Sequence, residues 1–226
     1  MTYDPHLAAK RDAAIRAVDF VESDMIVGLG TGSTAVLVVE EIARRLDAGG
    51  LHDVVGVPTS RTTEQQALLL GIPLASIESV PRIDLTIDGA DEVDPDGQLI
   101  KGLGGALLRE KIVATASTRM VIVVDESKLV RRLGTRSPLP VEVVTFAAKA
   151  HAPAVRALGG VPSLRMDGDT PFLSDEGHYI LDCRFADGIT DPHGLQRALR
   201  DRPGVVETGL FLDLHPEVIV GRAPAA

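Results

Sequence analysis

Short continuous apolar runs alternate along the first half of the chain with longer stretches whose apolar residues recur every three or four positions. Met25–Leu29, Val54–Val57, Ile83–Ile87 and Arg119–Val124 are such runs. Their near-continuous apolar character predicts strands buried on both faces, as in a parallel sheet. Between them, residues 5–22, 34–46, 62–70 and 106–117 carry helical periodicity. Asp4–Pro5 supplies a cap and first-turn pair for the first helix. Gly49–Gly50 closes the second, and Thr62 with Gln65 reads as a capping box for the third. Leu74–Ile77 reads as one more short strand. Strand and helix in alternation predict an α/β fold with a Rossmann-like, mainly parallel sheet and helices on both faces.

The pattern changes near Leu133–Gly134, and Pro138 and Pro140 flank a new segment. From there the chain reads as strand 141–144, helix 146–158, strands 161–166 and 178–185, helix 191–200 and strand 205–208. The order β-α-β-β-α-β is that of a small ferredoxin-like α+β lobe. Residues 215–220 offer a last strand that can return to the first sheet. The expected division is therefore 1–133 with 207–226 as one domain, and 134–206 as the other.

A chain of 226 residues can bury a sizeable core. Its formal net charge of −9 argues against a general polyanion-binding surface, so no nucleic-acid partner is expected. An anionic ligand needs local donors against that field. No apolar stretch is long enough for a membrane-spanning helix, and the N-terminal residues do not read as a signal peptide. The lone Cys183 sits in a strand-like run, fits a reducing compartment and reads as a buried structural thiol. The expected location is cytoplasmic.

Three loops follow strands and carry the candidate chemistry. In an open α/β sheet such loops meet at one rim, where ligands bind. The first, Gly28–Thr34, joins a glycine-rich turn to a helix start, a ready anion site with Thr31, Ser33 and Thr34 adding hydroxyls. It lacks the third glycine of a dinucleotide fingerprint and the Gly-Lys-Ser/Thr ending of a P-loop. The second, Asp88–Asp94, presents Asp88 and Asp91 three residues apart, a pair suited to acid–base work or to gripping sugar hydroxyls. Asp94–Gly97 reads as a turn. A calcium loop starting at Glu92 fails, since its twelfth position is Leu103 instead of a bidentate Glu. The third loop runs from Lys101 through Gly102, Leu103 and Gly104 to Arg109, Glu110 and Lys111. Lys101 can neutralise an oxyanion and Glu110 can act as a carbon-acid base. Lys128, after the fourth long strand, is a further rim residue. The six histidines are scattered, so no metal site is expected.

Taken in order, the runs GLGTGST, DGADEVD, KGLGGALLREK, VIVVDESKLV and SPLPVEV resemble ribose-5-phosphate isomerases of the A type over nearly the whole chain. The resemblance implies interconversion of D-ribose 5-phosphate and D-ribulose 5-phosphate through an enediolate, with neither metal nor organic cofactor. It implies substrate binding by Thr31, Gly32, Ser33 and Thr34, and a sugar site lined by Asp88, Gly89, Ala90 and Asp91, with Asp88 the acid/base for ring opening. Lys101 would steady the developing negative oxygen and Glu110 would carry the proton between C2 and C1. Gly102, Leu103, Gly104 and Lys128 would complete the site. It further implies a homodimer or a dimer of dimers, with a small sugar phosphate as the partner. Two positions depart from the family pattern: Leu103, where glycine is usual, and Leu108, where a small hydroxyl residue is common. An aminosugar-phosphate deaminase-isomerase, a CoA-transferase and a non-catalytic sugar-phosphate sensor are the competing readings. The sensor lacks the basic DNA-binding module it would be expected to carry.

Overall fold

The computed structural model describes residues 5–222. Its elements run α1 (Pro5–Val18), β1 (Ile26–Leu29), α2 (Ala35–Asp47), β2 (Val55–Pro58), α3 (Arg61–Leu69) and β3 (Ile83–Gly89). Two short strands follow, β4 (Glu92–Val93) and β5 (Leu99–Ile100), then α4 (Leu107–Thr115) and β6 (Ser117–Asp125). Beyond these lie β7 (Leu139–Val143), α5 (Ala152–Ala157), β8 (Val161–Leu164), β9 (Met166–Asp167), β10 (Thr170–Pro171) and β11 (Tyr179–Arg184). The chain ends with α6 (Pro192–Arg200), β12 (Val205–Thr208), β13 (Leu210–Phe211) and β14 (Glu217–Gly221).

The chain divides into two compact units. One comprises the residues up to Ala90, Arg109–Lys128 and the chain from Leu214 onward; the other comprises Asp91–Leu108 and Leu129–Asp213. In the first, a five-stranded sheet has the order β14-β6-β3-β1-β2, every pair parallel. The expected return of the C-terminal strand to the first sheet is thus observed, shifted to Glu217–Gly221. Leu29, Ile42, Leu85 and Ile87 are all essentially buried within this unit's core. Each such side chain contributes about 1.5–3 kcal/mol by leaving water.

The second unit holds a four-stranded antiparallel sheet in the order β12-β7-β11-β8, the ferredoxin-like arrangement expected from the β-α-β-β-α-β sequence. The boundaries differ from the expected ones. Residues 91–108, 129–133 and 207–213 belong with this unit. The reason is a small sheet of order β13-β5-β4, made of two-residue strands that carry too little pattern to be read in sequence. Cys183 is buried in this unit, and burial followed by the nearby Asp182 charge pushes its thiol up to about 12. That agrees with a structural role.

Local differences have local causes. The cap of α3 is Ser60, whose hydroxyl accepts from the Thr63 N–H at 3.0 Å, so the expected Thr62–Gln65 box lies inside the helix. Leu74 makes a single bridge to Gly56, and the chain then turns through a 3-10 segment at Ile77–Ser79, not a strand. The helix expected over 146–158 reduces to a 3-10 turn at Ala148–His151 and the short α5. Ala147 takes a left-handed φ of 56° ahead of it, which breaks the helical run. The strand expected over 161–166 stops at Leu164, because Met166 pairs instead with Pro171 in a separate hairpin. α1 ends at Val18, short of the expected residue 22. Asp4, its expected cap, lies outside the described residues.

A charged cluster joins α1 to α2. Glu41 accepts from Arg44 Nε and Nη2 and from Arg45 Nε, each at 2.7 Å. Arg45 also reaches the Ile15 carbonyl at 2.8 Å and Asp19 at 2.9 Å. The Arg44 hydrogen bond, opposed by burial and reinforced by Arg45, holds the Glu41 carboxyl at about 2 instead of 4.5. A depressed carboxyl stabilises the fold above its unfolded value and ceases to do so as pH falls through its folded value. Wild-type protein is therefore expected to be more stable than Glu41→Gln at pH 7, with the difference shrinking between about 4.5 and about 2. Urea midpoints measured across that range check this, and a difference independent of pH would refute it.

Candidate active site

The carboxyl ends of β2, β1, β3 and β6 lie side by side, so their following loops share one rim. The Gly28–Thr34 loop leaves β1 and enters α2, whose first turn opens with Val36 N–H donating to the Gly32 carbonyl. Asp88, fully buried near the end of β3, accepts on Oδ1 from the Thr31 N–H at 3.0 Å and from the Gly89 N–H at 2.7 Å. A Cβ on Gly30 would stand 2.3 Å from that same oxygen, so the contact requires glycine there. The Thr31 hydroxyl turns toward the loop after β2, within 2.8 Å of the Thr59 and Ser60 hydroxyls and 3.2 Å of Thr63. Ser33 is exposed, and the half-buried Lys10 of α1 donates to its hydroxyl at 3.0 Å. Thr34 is buried at the start of α2.

Glu110 stands in the first turn of α4. Its level in the sheet follows from two contacts. Ser117 opens β6 opposite Ile83, at the amino rim. Val113 packs at mid-strand, where a Cβ on Gly28 would meet it at 2.8 Å. One helical turn further back, about 5 Å along the axis, Glu110 reaches the carboxyl rim. It is only 4% exposed, so a carboxylate is kept from bulk water at the level of the glycine loop. Across the rim, Asp125 ends β6 and accepts from both the backbone N–H (2.9 Å) and the hydroxyl of Ser127. This turns the chain into the 3-10 segment Glu126–Lys128. Burial alone would raise the Asp125 carboxyl; the Ser127 bonds and the charges of Lys128 and Lys10 outweigh it and hold it below the usual range.

The second unit carries the other candidates. Lys101 is buried, with its ammonium 5.4 Å from the centre of the Phe211 ring and its N–H donating to the Gly209 carbonyl at 2.9 Å. Asp91 accepts from the Leu103 N–H at 2.9 Å, so this acid braces the loop beyond Lys101. Left-handed φ values fall on Gly102 (105°) and Gly105 (85°), not on Leu103. The backbone there makes no demand for glycine, which is why leucine is accommodated with its side chain outward. Asp94 accepts from Asp96 and Gln98 N–H groups, the turn expected of that segment.

Several site residues leave no sequence signal. Arg165, paired with Asp182 through Nε at 2.9 Å and Nη2 at 2.5 Å, donates to both the Gly102 and Leu103 carbonyls at 3.0 Å. Glu92 is fully buried and accepts three backbone N–H groups, from Gly134 (2.5 Å), Arg136 (2.7 Å) and Ser137 (2.5 Å). It is a loop anchor and no calcium ligand. Lys10 and Asp125 join the rim only through tertiary packing. Among the described residues, Asp24, His52 and Asp53 could together ligate a cation, yet all are exposed and precede β1 and β2, at the opposite end of the sheet.

The chain matches the family model described as ribose 5-phosphate isomerase A (phosphoriboisomerase A) over residues 55–224. It is 54% identical over 218 residues to the ribose-5-phosphate isomerase A of Roseiflexus castenholzii, covering 96% of this chain and 92% of that one. The fold superposes on a solved D-ribose-5-phosphate isomerase in complex with phospho-erythronic acid, with a TM-score of 0.92 and 41% identity over 94% of this chain and 93% of the other. The Plasmodium falciparum ribose 5-phosphate isomerase gives a TM-score of 0.89 at 40% identity, over 92% and 91% of the two chains.

The anchoring of Glu92 is testable by itself. Glu92→Gln replaces an all-acceptor carboxylate with a group that turns an N–H pair toward backbone donors. The expected loss is about 2–4 kcal/mol of stability by urea unfolding. A loss below ~0.5 kcal/mol would show that the three contacts do not hold the loop.

Proposed function

Because this chain belongs to the ribose 5-phosphate isomerase A family, we propose that it interconverts D-ribose 5-phosphate and D-ribulose 5-phosphate by metal-free proton transfer through an enediolate. The observation that carries the reading is Glu110, a carboxylate withdrawn from water at the same rim as the glycine loop. A proton on carbon beside a carbonyl is a weak acid. Its removal needs a positioned base and a cation or donor for the oxygen that gains charge. In this reading Glu110 takes the proton from C2 of the aldose and returns it to C1. Lys101, a buried cation, offsets the enediolate oxygen, and burial strengthens that effect.

Ring opening precedes isomerisation. Asp88 serves as its acid/base, with Gly89, Ala90 and Asp91 lining the sugar. The Thr31–Thr34 segment takes the substrate through backbone N–H groups and the Ser33 hydroxyl, with Lys128 and, newly, Lys10 as cations. Lys10 enters because its ammonium already meets Ser33. Gly102, Leu103 and Gly104 present backbone to the substrate, held by Asp91 and Arg165. The complex of a similar isomerase with phospho-erythronic acid, a phosphorylated sugar acid, supports a sugar phosphate as ligand. The same membership supports a cytoplasmic homodimer, or a dimer of dimers, serving the pentose phosphate pathway.

The test is conversion of D-ribose 5-phosphate by purified protein in excess EDTA, alongside Glu110→Gln. Wild-type turnover should survive chelation, and the variant should lose about 100- to 10,000-fold in kcat while keeping its fold. Near-wild-type turnover by the variant would remove Glu110 as the base. Loss of wild-type turnover in EDTA would remove the metal-free mechanism, and a folded wild-type protein inert without EDTA would sink the assignment.

A further inference from the structure

Asp125 is a buried acidic residue at the carboxyl end of β6 to which the reaction above gives no role. Its burial calls for a reason, since a carboxylate near a phosphate-binding loop repels the ligand and costs desolvation. Its surroundings give one. Its Oδ1 accepts from the Ser127 N–H and hydroxyl and so directs the turn that carries Lys128. On the other side, Asp125 pairs with Gly221 in the β6–β14 ladder. α1 crosses there so closely that a Cβ on Gly221 would stand 1.9 Å from the Ala9 carbonyl oxygen. Lys10, next in the chain, is thereby brought to the rim, where its ammonium meets the Ser33 hydroxyl at 3.0 Å.

Building on the isomerase reading, we infer that Asp125 is a positioning residue for the substrate phosphate, fixing Lys128 through the turn it directs and Lys10 through its charge. The trio of Lys10, Lys128 and Asp125 keeps a net positive charge in a chain of net charge −9. What Asp125 gives up in attraction it returns as order: two long lysine side chains, otherwise mobile, are restrained at the carboxyl rim before the ligand arrives.

Asp125→Asn separates the two effects, because the amide keeps an oxygen for Ser127 but loses the charge. If Asp125 acted only as a repulsive charge, the variant would bind phosphate more tightly. Positioning requires the opposite: KM for D-ribose 5-phosphate and the Ki of inorganic phosphate as a competitive inhibitor both rise about tenfold, the size of one lost charge-assisted contact, with kcat little changed. Lys10→Met should produce the same rise, and Asp125→Asn in the Lys10→Met background should add less than it does in wild type. This coupling is something a purely structural role would not produce. If Asp125→Asn does not fold, Lys10→Met and Ser127→Ala, both at solvent-accessible positions, carry the test through the same two constants. Unchanged or lowered constants in a wild type that turns over would overturn the inference. A wild type that does not turn over D-ribose 5-phosphate would instead overturn the reading on which it rests.

Discussion

The Asp88 carboxylate links two loops of the parallel sheet, and the arrangement of the carboxyl rim depends on it. One oxygen accepts from Thr31 in the loop after β1 and from Gly89 in its own loop. Buried carboxylates of this kind are stable only when backbone donors replace water. The requirement propagates. Gly30 must lack a side chain for Thr31 to approach, and the Thr31 hydroxyl then bonds to Thr59, Ser60 and Thr63, bringing the loop after β2 into the same network. Ser60 in turn caps α3. Three loops and a helix start are thus fixed by short polar contacts around one acid.

The second unit uses the same device with different charges. Glu92 gathers three N–H groups of the 134–137 segment, and Arg165, held by Asp182, gathers two carbonyls of the Lys101 loop. A buried ion satisfied by backbone groups costs less than one facing an apolar wall, and it leaves little freedom to the loop that supplies those groups. The same logic explains why Leu103 is tolerated. What the loop needs at that position is an N–H for Asp91 and a carbonyl for Arg165, and every residue except proline provides both.

Much of this was legible in the chain. Near-continuous apolar runs marked the parallel strands, because burial on both faces favours apolar residues at successive positions. Turn residues after strands marked the loops that follow β1 and β3, and the motif order singled out Asp88, Lys101, Glu110 and Lys128 as candidates. These signals are local: a period, a turn residue, a capping group. Where the local signal is thin, the structure departs from the pattern. Two-residue strands at Glu92–Val93 and Leu99–Ile100 carry no period, and they draw residues 91–108 into the second unit. The cap of α3 is Ser60 instead of the expected Thr62, because the extended backbone at Ser60 turns its hydroxyl toward the Thr63 N–H.

The sequence by itself determined the fold class and the loops that follow β1 and β3, since strand periods and turn residues depend on neighbours a few positions away; the acid–base roles proposed for residues in those loops rest on the order of the motifs along the whole chain. The tertiary structure alone decided which distant groups hold those loops. Lys10 meets Ser33 across 23 positions, Glu92 meets Ser137 across 45, and Arg165 meets Gly102 across 63. No periodicity encodes such pairs. They form because packing of apolar faces fixes the elements first, and a buried charge then accepts whichever backbone groups that packing has brought within reach.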